Sequence, residues 1–135
     1  MNGMTHMLEQ LSGPDTDTGN AIANALGRKL SAVAVDRERN SLFLSFDNGT
    51  SIRVWDDGQS CCESRYMSTD DDLAPFAGAT LTKIELRDGP RLDNDDATHD
   101  QQFLVVTTSL GAFTVVNHNE HNGYYGGFVL RAEAA

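Results

Sequence analysis

Basic residues are scarce in this chain: of 135 residues, 10 are Lys or Arg against 20 Asp or Glu, a formal net charge of −10. That shortage argues against direct nucleic-acid binding, which needs a clustered Lys/Arg surface to meet the phosphate backbone. Long apolar runs are missing too. No window approaches the roughly 18 apolar residues that a bilayer-spanning helix needs, so no membrane partner is expected. The start, Met1-Asn2-Gly3-Met4-Thr5-His6, has no basic stretch leading into an apolar one and so no visible secretory signal. Cysteine is limited to two adjacent residues, Cys61 and Cys62. An ordinary disulfide wants its Cα atoms about 4.4–6.8 Å apart, so a bridge between neighbours is strained and free thiols in a reducing compartment are the better reading. A vicinal redox pair is the alternative. A cytoplasmic location follows. Gly-rich phosphate loops, nucleophile elbows and zinc-protease helices are all absent from the sequence.

What is present fits one modest core: 39% hydrophobic and 22% charged residues. Residues 1–18 are polar and carry Gly13-Pro14, which predicts a flexible N-terminal arm, with 19–135 as a single globular domain. Thr18 to Gly27 reads as a short helix, with Thr18 as its cap and Gly27 as its stop. Alternating apolar residues then predict strands at Leu30–Val35, Leu42–Phe46 and Ile52–Trp55. Asn48-Gly49 is the expected type I′ turn between the last two. Ser68 to Gly78, with Asp70-Asp71-Asp72, predicts a capped helical turn. Leu81–Leu86 alternates as a fourth strand. Arg87 to about Gln101 predicts a long, mobile acidic loop carrying Asp88, Asp93, Asp95, Asp96 and Asp100. Phe103–Val106, Phe113–Val116 and Phe128–Arg131 complete the set. The fold class is therefore α+β, mainly antiparallel β, with about seven strands in a curled sheet or small sandwich and one or two short helices.

Two polar motifs follow strands: Cys61-Cys62-Glu63-Ser64, and Asn117-His118-Asn119-Glu120-His121-Asn122-Gly123-Tyr124-Tyr125. Cys61 or Cys62 would be a nucleophile if the fold brought His118 or His121 close, with Glu63 orienting the imidazole. The simpler reading packs one cysteine inward as a small hydrophobe. Two thiols and two imidazoles also make a formal zinc set, but adjacent cysteines point to opposite sides of an extended chain, so no metal and no cofactor are expected. Asn122-Gly123 tolerates left-handed backbone, and Tyr124 and Tyr125 offer flat faces with polar tips for gripping a ligand. The competing reading is a turn with one Tyr plugging the sheet end. The Asp70–Asp72 run lacks the alternate spacing of a calcium loop.

In order, these residues are an apolar strand, Asn48-Gly49, a strand ending in an aromatic, Cys61-Cys62-Glu63-Ser64, a short acidic helix ending at Gly78, further strands, and Asn122-Gly123-Tyr124-Tyr125. The pattern resembles a family of small bacterial and phage domains of unknown function, over about Gly27 to Val129. The resemblance implies the fold and a bacterial or phage setting, and no reaction. Where that family carries a His four residues before the first Cys, this chain has Asp57. Where it follows the Tyr pair with Ser, this chain has Gly126.

The leading expectation is a non-enzymatic cytosolic binding or accessory domain for an unknown protein or small molecule. The candidate ligand-binding residues are Cys61, Cys62, Glu63, Asn122, Tyr124 and Tyr125, with no catalytic residue assigned. One alternative is an acidic nucleic-acid mimic that blocks a host protein, and another is a Cys-dependent enzyme. The sequence carries no signal for oligomeric state. The spatial expectation is that the strands ending at Trp55 and Val116 run in parallel directions in one curled sheet, delivering both polar motifs to one end.

Overall fold

Strict alternation of apolar and polar side chains forces strands with one dry face. In the computed structural model, which describes residues 5–7, 16–58, 63–93, 98–121 and 128–135, the strands are β1 (Thr5–Met7), β2 (Leu30–Asp36), β3 (Ser41–Phe46), β4 (Ser51–Asp56), β5 (Ser64–Ser68), β6 (Leu81–Asp93), β7 (Thr98–Thr108), β8 (Gly111–His121) and β9 (Leu130–Ala134). They form a five-stranded sheet ordered β1-β6-β7-β8-β5 and a four-stranded sheet ordered β2-β3-β4-β9, with every pairing antiparallel. Neither sheet closes into a barrel among the described residues. Leu42, Leu44, Phe46, Ile52, Val54 and Leu130 from one sheet share a single core with Met67, Leu81, Ile84, Leu86, Leu104, Val106, Phe113 and Val115 from the other.

The expected total of about seven strands is corrected: each sheet has four strands without β1, and β1 adds a ninth at an edge. The missed strand β5, Ser-Arg-Tyr-Met-Ser, sends only one apolar side chain, Met67, into the core. The acidic loop expected over Arg87–Gln101 is largely a ladder. β6 and β7 pair from Leu81↔Thr108 to Asp93↔Thr98, with a bulge between Asp88 and Arg91. Gly89 sits in that bulge, where a Cβ would lie 3.0 Å from the Gln101 carbonyl oxygen, a tight contact that favours glycine. A second bulge between Leu81 and Lys83 shifts the alternation, which is why Leu81, Ile84 and Leu86 are all buried instead of lying on two faces.

The helix α1 (Thr16–Ala25) presents Thr18, Ile22 and Ala25 on one buried face, the i, i+4, i+7 spacing of a helical stripe. Thr18 is thus inside the helix, not its cap. Its hydroxyl accepts a hydrogen bond from the Ala132 N–H at 3.1 Å, covering an edge position of β9. Gly27, at φ 87°, follows the helix as expected. The Asn48-Gly49 turn is not type I′: Gly49 alone has positive φ, at 86°, and its N–H bonds the Phe46 carbonyl. Asn48 instead accepts from the Thr50 N–H and hydroxyl. The expected capped helical turn is a 3-10 turn, Ala74–Phe76, whose first N–H bonds Asp72 Oδ1 at 3.2 Å, while Asp71 accepts from the Thr114 N–H at 2.8 Å.

Candidate functional site

Alternation continues past the apolar half of β7 and β8, but its inward letters become polar. Along β8, Phe113 and Val115 give way to Asn117, Asn119 and His121, all buried. In β7 the buried face runs from Val106 and Leu104 through Gln102 and Asp100 to Thr98, and in β5 it holds Met67 and Arg65. Registers Gln102↔Asn117↔Met67 and Asp100↔Asn119↔Arg65 stack these side chains row by row. The dry layer between the sheets therefore becomes a polar one at a single end.

Arg65 is the centre of that layer. Its Nη1 donates to Asp56 of the facing sheet at 2.8 and 3.0 Å, and its Nη2 donates to Glu63 at 2.9 Å. The three side chains are 6%, 7% and 1% exposed. Burial alone would lower the Arg65 pKa, but hydrogen bonds to Glu63 and then Asp56 outweigh it and push it up, so the charge is fixed. Gly58 makes this fit possible: a Cβ there would lie 2.6 Å from Nη1. Asp56 also accepts from the Gly58 and Val129 N–H groups, and Asn119 donates to Glu63 at 2.9 Å. Asn40, the turn residue at φ 48°, donates to the Arg65 carbonyl and ties the sheets together again. His121 pairs with Asp100 at 2.8 Å. Deeper in, the Asn117 amide has neither Oδ1 nor Nδ2 hydrogen-bonded among the described residues, and its cross-strand neighbour Gln102 leaves Oε1 unpaired. Such orphans are uncommon in a buried layer.

The other face of the same strands carries a second cluster. Ser68 Oγ lies 2.7 Å from His118 Nε2, and His118 Nδ1 lies 2.9 Å from His99 Nε2. The Tyr66 ring stacks on His118 at 4.4 Å and 8°, and the Tyr66 hydroxyl donates to Glu120. Burial, then the Glu120 hydrogen bond, pushes the Tyr66 pKa up to about 12. Burial, then the charge of His99, lowers that of His118 against a weaker opposing pull from Glu120.

Of the expected ligand-binding residues, Glu63 is placed, at the mouth of the buried layer. Cys61, Cys62, Asn122, Tyr124 and Tyr125 lie outside the described residues, as does the proposed Cys–His contact. The strands ending near Trp55 and Val116 belong to different sheets, so the expected shared sheet does not exist. What joins the two motif anchors is β5 pairing with β8: Ser64 faces Glu120, one residue from Glu63 and one from His121. His118 and His121 fall on opposite faces of β8, so they do not act on one ion. Among the described residues, no group of three His, Cys, Asp or Glu is placed to hold a metal. A groove of about 480 Å³ between α1 and β9, lined in part by Asp17, Asn24, Trp55 and Arg131, lies apart from both clusters.

Sequence reasoning missed Arg65, Asp56, Asp100, Ser68, Tyr66 and His99. The available signal was polar alternation: Asn117, Asn119 and His121 interleave with His118 and Glu120 at the two-residue period of a strand. Compared with known families, residues 23–130 match a domain of unknown function, DUF7448. No curated protein and no solved structure matches the chain. No helix among the described residues is long and apolar enough to cross a membrane.

Proposed function

We propose that this chain, which belongs to the DUF7448 family, is a binding domain that takes a small ligand or protein partner at the polar end of its two sheets. The observation that carries this reading is the buried Arg65–Asp56–Glu63 group. Two carboxylates and a guanidinium between sheets contribute little net stability, because desolvation offsets their attraction, and apolar side chains would serve a core as well or better. Their value is positional. Glu63 is held by Arg65 and Asn119 at the place where the Cys61-Cys62-Glu63 segment enters β5, and His121 holds the start of the Asn122–Tyr125 segment. Anchoring Glu63 and His121 rigidly, next in sequence to Cys61-Cys62 and to Asn122–Tyr125, is a means of serving one occupant with Cys61, Cys62, Asn122, Tyr124 and Tyr125. A cytoplasmic accessory role belongs to the same proposal, supported by the adjacent cysteines as free thiols, and a bacterial or phage setting belongs to it as what the family resemblance implies.

The test is a fragment screen followed by 15N-resolved titration of the full chain. Binders are expected to shift the backbone signals of Glu63, Ser64, Glu120 and His121, and to lose affinity in Tyr124→Ala and Tyr125→Ala. Binders that shift only the α1–β9 groove, or no binder at millimolar fragment, would count against the reading.

A further inference from the structure

On the open face of β5, β7 and β8, beyond the binding site just proposed, we infer that Ser68 is an activated nucleophile that accepts acyl groups from activated esters and thioesters. Ser68 Oγ, His118 and His99 form a continuous chain of hydrogen bonds, 2.7 and 2.9 Å long. A neutral imidazole carries a proton on one nitrogen only. When the Ser68 hydroxyl donates to His118 Nε2, His118 Nδ1–H donates to His99 Nε2, and both nitrogens of His118 are satisfied. That is the order of nucleophile, base and orienting group that activates a serine. Two features fix the base. The Tyr66 ring stacks on it nearly parallel, and Glu120 holds the Tyr66 hydroxyl. Burial favours the neutral form of His118, so its lone pair is available. Ser68 is the last residue of β5, an edge strand, and is half-buried, so a donor reaches Oγ from the open side.

In the step, a bond forms from Ser68 Oγ to the acyl carbon while the hydroxyl proton passes to His118 Nε2. The ester C–O or thioester C–S bond breaks, and the leaving alkoxide or thiolate takes that proton from His118. The products are acyl-Ser68 and a neutral alcohol or thiol, with His118 neutral again. General-base help of this kind contributes about 10²–10⁴-fold. That suits donors with good leaving groups, whereas an amide also needs an oxyanion hole.

The test treats the full chain with p-nitrophenyl acetate and, separately, with a fluorophosphonate probe, and maps the modified residue by peptide mass. One acetyl or phosphonyl group is expected on Ser68, at least about 100-fold faster than on any residue of Ser68→Ala. Ser64→Ala, on the same strand face, labels like the parent chain. His99→Asn, a positioning change, slows labelling about tenfold, less than the loss of the base itself, and moves the pH midpoint of its rate. His118→Ala abolishes labelling, but it also removes the ring stacked on Tyr66. The tautomer is therefore read independently in the unaltered chain by long-range 1H–15N correlation, which should show His118 protonated at Nδ1. A His118 protonated at Nε2, acetylation confined to Cys61 or Cys62, or an unmodified Ser68 with both probes would overturn the assignment.

Discussion

Replacing Arg65 by Met keeps most of the side-chain length and removes the charge from the centre of the polar layer. The guanidinium bonds Asp56 through Nη1 and Glu63 through Nη2 and Nε. Its loss leaves two carboxylates, 7% and 1% exposed, facing each other without that cation. Removing one partner of a buried ion pair costs about 3–5 kcal/mol, a large part of the roughly 5–15 kcal/mol that holds a domain folded. At a few degrees per kcal/mol for a chain of this size, Tm should fall by about 10–20 °C. Urea unfolding should give a lower midpoint with an unchanged m value. A second chain separates charge from packing. Arg65→Met combined with Asp56→Asn and Glu63→Gln removes all three charges. It retains acceptors for the Gly58 and Val129 N–H groups and for Asn119. It should regain at least about 2 kcal/mol over Arg65→Met alone, since unpaired carboxylates are the main penalty. A single substitution costing under about 1 kcal/mol, or a triple no better than the single, would refute the view that charge balance governs this layer.

Gly58→Ala places a methyl 2.6 Å from Arg65 Nη1; overpacking of that kind costs about 1–3 kcal/mol, measurable by urea unfolding and weaker in an Arg65→Met background. The lowered His118 pKa means that the unfolded chain binds its proton first, so stability present above about pH 6.5 is lost as pH falls through the lower folded value. Thermal unfolding across pH 5–8 (an assay range chosen around that ordinary histidine value) should show this loss, and His118→Gln should flatten it. Tyr66 should ionise near 12 in the folded chain, later than an ordinary phenol at about 10, and its share of stability should disappear as pH rises from one value through the other. Absorbance titration at alkaline pH, compared with Tyr66→Phe, reads this directly. Thr18→Val leaves the Ala132 N–H without the hydroxyl that accepts it, at a cost of about 1–3 kcal/mol, seen as faster amide exchange at Ala132.

The parts of the fold that were legible are those whose inward positions are apolar. Leu42, Leu44 and Phe46 place β3, and Ile52 and Val54 place β4, because burial and period agree. β5 was illegible because Arg65 occupies an inward position, and a lone arginine reads as surface until Asp56 and Glu63 are seen beside it. Asp100 and Gln102 hid the first half of β7 in the same way, since an inward carboxylate makes sense only opposite His121. The Asn48-Gly49 pair was correctly read as a turn and wrongly typed, because the choice between turn geometries rests on the side-chain bonds of Asn48 to Thr50. Glu63 stood out in the sequence through its motif. Its partners did not, since Arg65, two residues on, is drawn inward by Asp56 of the facing sheet, and Asn119 reaches Glu63 from the neighbouring strand.

The alternation of residues 117–121 has a consequence for how this family can vary. One strand supplies both clusters, with Asn117, Asn119 and His121 inward and His118 and Glu120 outward. Substitutions alter one cluster at a time and leave the other in place. Deletion of a single codon between Val116 and Asn119 would reverse the facing of every later residue in the strand. Glu120 would turn toward the buried carboxylates and His121 would leave Asp100. Drift in this segment should therefore proceed by exchange of residues at constant length, and length changes should accumulate in the connections beyond the strand ends.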